Sequence, residues 1–483
     1  MVENPHHDRR WFILALLATA QLMVVLDATV VNIALPSAQK ALGFSDGNRQ
    51  WIITAYSLAF GSLLLPFGRV GDLFGRKLTL VVGLVGFSIV SAIAGASQSF
   101  GVLAGTRALQ GAFGALLAPS ALSLLTTTFT DPRERGTAFG VYGAVAGGGG
   151  ALGLLLGGVL TEYLSWRWCL YVNVVIAVPA VFAALVLLTN QVPEHRPRLD
   201  WPGTITVATG LFGIVFGFSQ AEPRGWSDPV TLGALAAGVV LLIAFVQIER
   251  RSSHPLLPLR IVLDRNRGGS YLSVLISGAG IFAVFLFLTF YLQGNRGYSP
   301  VTTGLAFLPM VAMIVVGSTS SNAVLLPRFG PRPLITTGML LAAAGMLILT
   351  QLGEESSYAG HILPALLVTG AGLGLIFAPA INTATLGVEP ADAGVASATV
   401  NSCQQVGGSI GTAFLNTMAT TATASYLVGK LPTRHNAALA ALHGYTVAFW
   451  WAMGIFLIGA AVAVLLLRPG AIEPALQPQP VPA

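Results

Sequence analysis

Long apolar runs separated by short polar connectors make up nearly the whole chain. A helix that crosses a bilayer needs about 20 mostly apolar residues. Fourteen runs answer to that, near 11–34, 51–67, 78–97, 100–127, 137–164, 167–189, 202–220, 229–248, 269–292, 301–324, 333–352, 360–386, 395–424 and 446–467. The pattern predicts an all-α polytopic membrane protein. The longest connectors, Glu249–Gly268 and Ser425–Tyr445, are too short to fold as separate domains. The fifth and thirteenth runs are interrupted by glycine and have the least sharp edges.

Composition agrees with this. The 483 residues are 54% hydrophobic and only 9% charged. Soluble domains carry about 25% charged residues, so lipid rather than water is the main solvent, and no nucleic-acid partner is expected. Arg9 and Arg10 ahead of Ala18-Thr19-Ala20 imitate a signal peptide, but the run continues to Ala34. An uncleaved helix is expected. Cys169 and Cys403 both lie in apolar runs and are expected to be small core residues.

Lys and Arg fix the expected orientation, because they concentrate in cytoplasmic loops. With the N-terminus inside, seventeen fall on the inner side and seven on the outer side. Arg107 alone lies within a span. This bias predicts both termini in the cytoplasm.

The chain also repeats itself. GALLAP at Gly114–Pro119 returns as GLIFAP at Gly374–Pro379. Gly136, Gly149, Gly150 and Gly153 return as Gly394, Gly407, Gly408 and Gly411. Phe74-Gly75 and Lys77 return as Phe329-Gly330 and Arg332. The offsets, 260, 258 and 255, are nearly equal and keep their order. They pair spans 1–6 with spans 9–14 as parallel copies. The expected division is a six-helix bundle over 1–189, a connector with two extra spans over 190–267, and a second six-helix bundle with a short tail over 268–483. Parallel repeats of this kind are a transporter plan, with the substrate site at the midplane between them.

Candidate chemistry is sparse. Asp27 is the only ionisable residue from Trp11 to Ala34. A carboxylate near a helix centre costs about 2.5–3.5 kcal/mol to insert, so a functional role is expected. Arg107, in TRALQG of the fourth run, is the second embedded charge. At about 1.5 Å per residue both fall in the outer half of the bilayer, where they can pair and face one cavity. Two readings stand: a structural salt bridge, or a proton site in which Arg107 favours the carboxylate in one state. The repeat places apolar residues near Val284 and Leu367 at the equivalent positions of the second half. The proton machinery is therefore expected in the first bundle alone. Candidates for a polar substrate cavity are Gln21, Asn32, Tyr56 and Gln110 in the first half, and Asn382, Asn401, Gln404 and Gln405 in the second. Singly, each suits helix–helix hydrogen bonding as well.

GRVGDLFGRK, Gly68 to Lys77, joins spans 2 and 3. Gly68, Gly71 and Gly75 suggest a tight turn, and Arg76 and Lys77 satisfy the inner-side bias. Asp72 can meet a helix N-terminus or an arginine and latch that side. DPRER, Asp131–Arg135, is expected to supply partners. In span 5, Gly149, Gly153, Gly157 and Gly158 permit either close packing or a bend that rocks during transport.

These stretches resemble the major facilitator superfamily, in particular its fourteen-span drug:proton antiporters. LDATVVNIALP, Leu26–Pro36, is similar to that family's first-span motif, with Asp27 at the acidic position. GRVGDLFGRK resembles the signature between spans 2 and 3, and TRALQGAFGALLAP the span-4 motif with Arg107, Gln110 and Gly111. The glycine-rich span 5 resembles the antiporter motif, with Leu154 where the family typically has proline, and Leu73 stands where the signature often has arginine. The resemblance implies a major facilitator fold and a monomeric exporter in a bacterial inner membrane. It implies exchange of lipophilic drug-like molecules for protons, with no cofactor and no metal. Asp27 and Arg107 would couple protons. Gly68, Asp72, Gly75, Arg76, Lys77 and the span-5 glycines would serve conformational gating. The alternatives are a facilitator for a metabolite or nutrient and, beyond transport, a membrane sensor or enzyme.

Overall fold

The computed structural model describes residues 9–44, 46–189, 200–252, 254–431 and 433–470. Among them there is no strand. Sixteen helices follow in order: α1 (Arg10–Leu42), α2 (Asp46–Phe74), α3 (Arg76–Gly95), α4 (Phe100–Thr128), α5 (Pro132–Tyr163), α6 (Trp168–Leu187), α7 (Trp201–Arg224), α8 (Pro229–Arg251), α9 (Leu259–Leu263), α10 (Arg265–Ala283), α11 (Pro300–Ser320), α12 (Leu326–Phe329), α13 (Pro331–Leu349), α14 (Leu363–Thr385), α15 (Ala393–Leu427) and α16 (Arg434–Leu466). Helix α10 runs on through π turns at Val284–Leu288 and Tyr291–Asn295, and α11 joins α12 through another at Ser321–Leu325. The first of these π turns falls where the repeat sets the counterpart of Asp27.

Local chemistry starts the helices where the sequence turns polar. Asp131 caps α5 by accepting from the amides of Arg133 and Glu134, and Asp228 caps α8 through Val230 and Thr231. Each is followed by proline at the first helical position, where no donor is lost. Gly75 and Gly330 both hold positive φ, 97° and 76°, at equivalent turns of the two halves. L-residues with a side chain rarely adopt that conformation, which explains the repeated Phe-Gly.

Fourteen of the helices are long. Thirteen are long and apolar enough to cross a membrane by length and composition. The exception, α15, carries Asn401, Gln404, Gln405, Asn416 and many Ser and Thr within its 35 residues. Its position fills the gap. We call the side on which α1 begins the near face. The start of α15 meets the near-face end of α2 at Gly68 and Asp72. Farther along, Thr417 accepts from the indole of Trp226, in the far-face turn between α7 and α8. Thus α15 covers the same thickness as its neighbours and is the fourteenth crossing.

Helix ends differ from the hydropathy pattern where polar residues continue a helix beyond the apolar run. Helix α16 begins at Arg434 and α15 runs to Leu427, so most of the connector expected over Ser425–Tyr445 is helix. Helix α2 remains helical to Phe74. Gly68 and Gly71 are therefore helical, and only Gly75 makes the turn.

The glycine repeat sets the packing of both halves. Gly149 rests on Val25 and Leu22, and Gly157 on Val30, so α5 lies against α1. Gly407 and Gly411 place α15 against Leu275 and Ala279 of α10 in the same manner. Gly136 sits on Asn322 between the halves, and its repeat mate Gly394 sits on Gly68. Helix α5 is uninterrupted over 32 residues; among its glycines, close packing is the use the structure makes of Gly149, Gly153 and Gly157, while Gly158 is buried. Across the seam between the halves, α5 packs on α11 and α14, and α15 packs on α2 and α4. Among the described residues, α1 and α10 make no extensive contact. Helices α7 and α8 pair as a hairpin, and α7 lies on both α2 and α15.

Candidate functional site

Asp27 and Arg107 meet. The carboxylate Oδ2 accepts from Arg107 Nη1 at 2.5 Å, and Oδ1 accepts from Gln110 Nε2 at 3.1 Å and Asn173 Nδ2 at 2.7 Å. Arg107 Nη1 also donates to Gln110 Oε1 at 2.9 Å, and its Nε to the Ile52 carbonyl at 3.3 Å. Gln110 donates onward to Ser91 Oγ at 2.8 Å. The guanidinium lies 4.4 Å from the centre of the Tyr56 ring, a cation–π contact. Asp27 and Arg107 are each 1% exposed, and Gln110 and Asn173 are fully buried.

The two charges thus pair at one depth. The expected outlook onto a shared cavity is corrected. The carboxylate turns away from the seam into the interior of the first half, held by α4 and α6. The physical reason is saturation. A charge buried in protein needs its partner and further donors to offset desolvation, and those donors sit on α4 and α6. All three side-chain partners donate, which suits an acceptor-only carboxylate.

Asn173 and Ser91 escaped the sequence reading. Neutral polar residues are common in membrane helices, and nothing in their local sequence sets them apart. Asn173→Ala leaves the carboxylate one donor short. A hydrogen bond to a charged group contributes about 1.5–3 kcal/mol, so a lower Tm in detergent is expected, with transport reduced rather than lost. An unchanged Tm would show that Asn173 does not hold the carboxylate.

The near face carries a second constellation, across the seam. Asp72 Oδ1 accepts from the Gly394 amide at 3.0 Å and Oδ2 from the Val395 amide at 3.3 Å. Asp72 thereby caps the N-terminus of α15, where the helix dipole favours an anion. Arg76 adds an ion pair at 3.3 Å. No side chain at position 394 would fit, because a Cβ there would lie 2.6 Å from Asp72 Oδ1. Beside it, Arg69 pairs with Asp392 at 3.3 Å, and Asp392 also takes Arg260 at 2.7 Å. That bond raises the pKa of the Arg260 guanidinium above its ordinary value. Lys77 instead closes the end of α6 through the Leu185 and Leu188 carbonyls.

DPRER does not supply partners to Asp72. Glu134 pairs with Arg10 at 2.7 Å. Arg135 crosses the seam, donating to Asn382 Oδ1 at 2.8 Å and Thr385 Oγ1 at 3.0 Å. Its charge is spread over neutral acceptors and the Phe139 ring at 4.4 Å.

The proposed cavity set is dispersed. Gln110 and Tyr56 belong to the Asp27 cluster. Gln21 accepts from the Tyr142 hydroxyl at 2.8 Å, and Asn382 belongs to the near-face seal. Asn401 is buried and donates to the Ser397 carbonyl of its own helix. The side chain of Asn32 lies outside the described residues. Only Gln404 and Gln405 remain half-buried; Gln405 faces Gly61 of α2 across the seam.

Comparisons with known proteins agree with the geometry. The sequence pattern of the Major Facilitator Superfamily matches residues 17–412. The puromycin resistance protein pur8 of Streptomyces alboniger is 52% identical over 95% of this chain and 92% of its own. The cephamycin export protein CmcT of Amycolatopsis lactamdurans is 40% identical over 84% of each chain. The crystal structure of the human organic anion transporter MFSD10 matches with a TM-score of 0.63 at 16% identity, covering 94% of this chain and 99% of that one; it shares the fold. Fourteen long helices in two glycine-matched halves, a polar cluster buried in the first, and this likeness along nearly the full length place the chain in the major facilitator superfamily, a multi-pass membrane protein built for transport rather than for enzyme chemistry.

Proposed function

We propose that the protein exports lipophilic, drug-like or antibiotic molecules in exchange for protons, by alternating access. The observation that carries the reading is the buried Asp27–Arg107 pair with its amide donors. Asp27 takes up a proton and gives Arg107 back to Gln110 and the Ile52 carbonyl; on release the ion pair reforms. The two six-helix halves, 1–189 and 268–483, rock about the seam, with 190–267 as the connector. The near face is the cytoplasmic one, as the Lys/Arg bias suggests, and both termini lie there. The Asp72 and Arg135 contacts seal that face and part when it opens. Gln404 and Gln405 line the cargo path. The relatives named for puromycin resistance and cephamycin export support that class of cargo. The protein works as a monomer in a bacterial inner membrane, without cofactor or nucleic acid.

The test is a drug-sensitivity panel, puromycin included, in an efflux-deficient host. Expression should raise tolerance to lipophilic antibiotics and lower the retention of an ethidium-like dye. Uptake of a sugar or amino acid without any change in tolerance would replace this reading with a metabolite facilitator.

A further inference from the structure

A second pair of carboxyl groups stands apart from the Asp27 cluster. Asp200 begins α7 and Glu249 closes α8, so the α7–α8 hairpin brings them together at its near-face root. Glu249 is 4% exposed. Its Oε1 accepts from the Leu256 amide at 3.2 Å and its Oε2 from the Leu257 amide at 3.0 Å. It therefore pins the linker that leads to α9. Asp200 Oδ1 accepts from the Gly203 amide at 3.0 Å, which uses one oxygen as the helix cap. Its Oδ2 is buried and finds no donor. That oxygen faces Glu249: a Cβ on Gly203 would lie 2.7 Å from Asp200 Oδ2 and 2.7 Å from Glu249 Oε1 alike. The two carboxyl groups thus crowd one point beside Gly203.

Two ionised carboxylates so placed repel, and among the described residues neither forms an ion pair with a cation. On α8, Arg251 lines a surface hollow with Asp200, next to Arg250. The linker supplies His254 and α9 supplies Arg260, which line a separate hollow with Arg69 and Asp392. The near ends of α2 and α15 present Arg69, Asp72, Arg76 and Asp392, engaged with one another. Among the described residues, none of these cations forms an ion pair with Asp200 or Glu249. A hydrogen on Glu249 would supply the donor that Asp200 Oδ2 lacks.

We propose that Asp200 and Glu249 share one proton and so form a pH-sensitive clamp on the linker after α8. With the proton in place, one carboxyl donates to the other and Glu249 keeps the Leu256 and Leu257 amides. Loss of that proton to near-face water leaves two negative charges side by side, Glu249 buried and Asp200 partly so, and Glu249 swings out and frees the linker. The linker ends in α9, whose Arg260 reaches Asp392 and through it Arg69. Acidity on the near face would thus stiffen the seal between the halves through a site independent of Asp27.

Hydrogen exchange of the linker tests this on the full-length protein, with rates corrected for intrinsic pH dependence. Protection over residues 252–259 should fall about tenfold or more between about pH 5.5 and about pH 8.5 in the wild type. Glu249→Gln gives Asp200 a permanent donor but gives up one of the two linker amides, so its protection should be lower than that of the wild type in acid yet nearly constant with pH; Asp200→Asn should also be nearly constant with pH. Asp27→Asn should leave the wild-type pH response in place, separating this site from the transport mechanism. Equal protection at both pH values in the wild type, or a fall in Glu249→Gln matching that of the wild type, would overturn the proposal.

Discussion

Asp27→Asn abolishes uphill, proton-driven efflux while the protein still inserts and folds. Asparagine keeps the size of the side chain and can still accept from Asn173 through one oxygen. It cannot carry a proton. The driving force at stake is about 2.3 kcal/mol per charge per 100 mV, roughly a fiftyfold concentration ratio. In inverted vesicles that ratio should collapse to about one. The variant also leaves Arg107 buried without its counter-charge, which costs about 3–5 kcal/mol when one partner of a buried pair is removed. The double variant Asp27→Asn/Arg107→Gln is the control, because it neutralises both groups and restores a hydrogen-bonded pair. It should recover stability but not coupling. Uphill transport by either folded variant would remove Asp27 from the mechanism.

Asp72→Ala shifts the protein towards a form open on the near face. The substitution removes two bonds to the amides of Gly394 and Val395 and the ion pair with Arg76. A net loss of about 3 kcal/mol, the scale of one or two hydrogen bonds to a charged group, changes the ratio of two conformers roughly a hundredfold. Spin labels report it directly. Phe74 and Phe329, exposed repeat mates at the near-face ends of the two halves, are suitable positions. The distance between them should lengthen in Asp72→Ala relative to the wild type. An identical distance distribution would mean that Asp72 does not hold the halves together.

The crossings were legible because hydropathy reports burial in lipid directly. Helix α15 could be read as a crossing from its repeat glycines, although its polar residues set it below the other thirteen in apolarity. Asp27 and Arg107 were legible because a charge inside an apolar run is costly and needs a partner. Their outlook was not, since it depends on Asn173 and Ser91, two neutral residues from other helices. The latch showed the same split. The sequence pointed Asp72 at a helix N-terminus or an arginine, and it meets both. Yet the helix is α15, more than three hundred residues on, and its contribution is two backbone amides that carry no sequence signal. Gly68 was misread as part of a turn. In a helix its lack of a side chain serves contact with Gly394 instead, and local sequence does not distinguish the two uses.

The α7–α8 hairpin lies along the line where α2 and α15 touch. A molecule dissolved among the acyl chains meets a screened flank there and a bare one on the α5–α11 side. If cargo enters from the lipid, the α5–α11 seam is the flank without that cover, and bulk along it, rather than polarity within the pore, would then set the upper size of what is expelled.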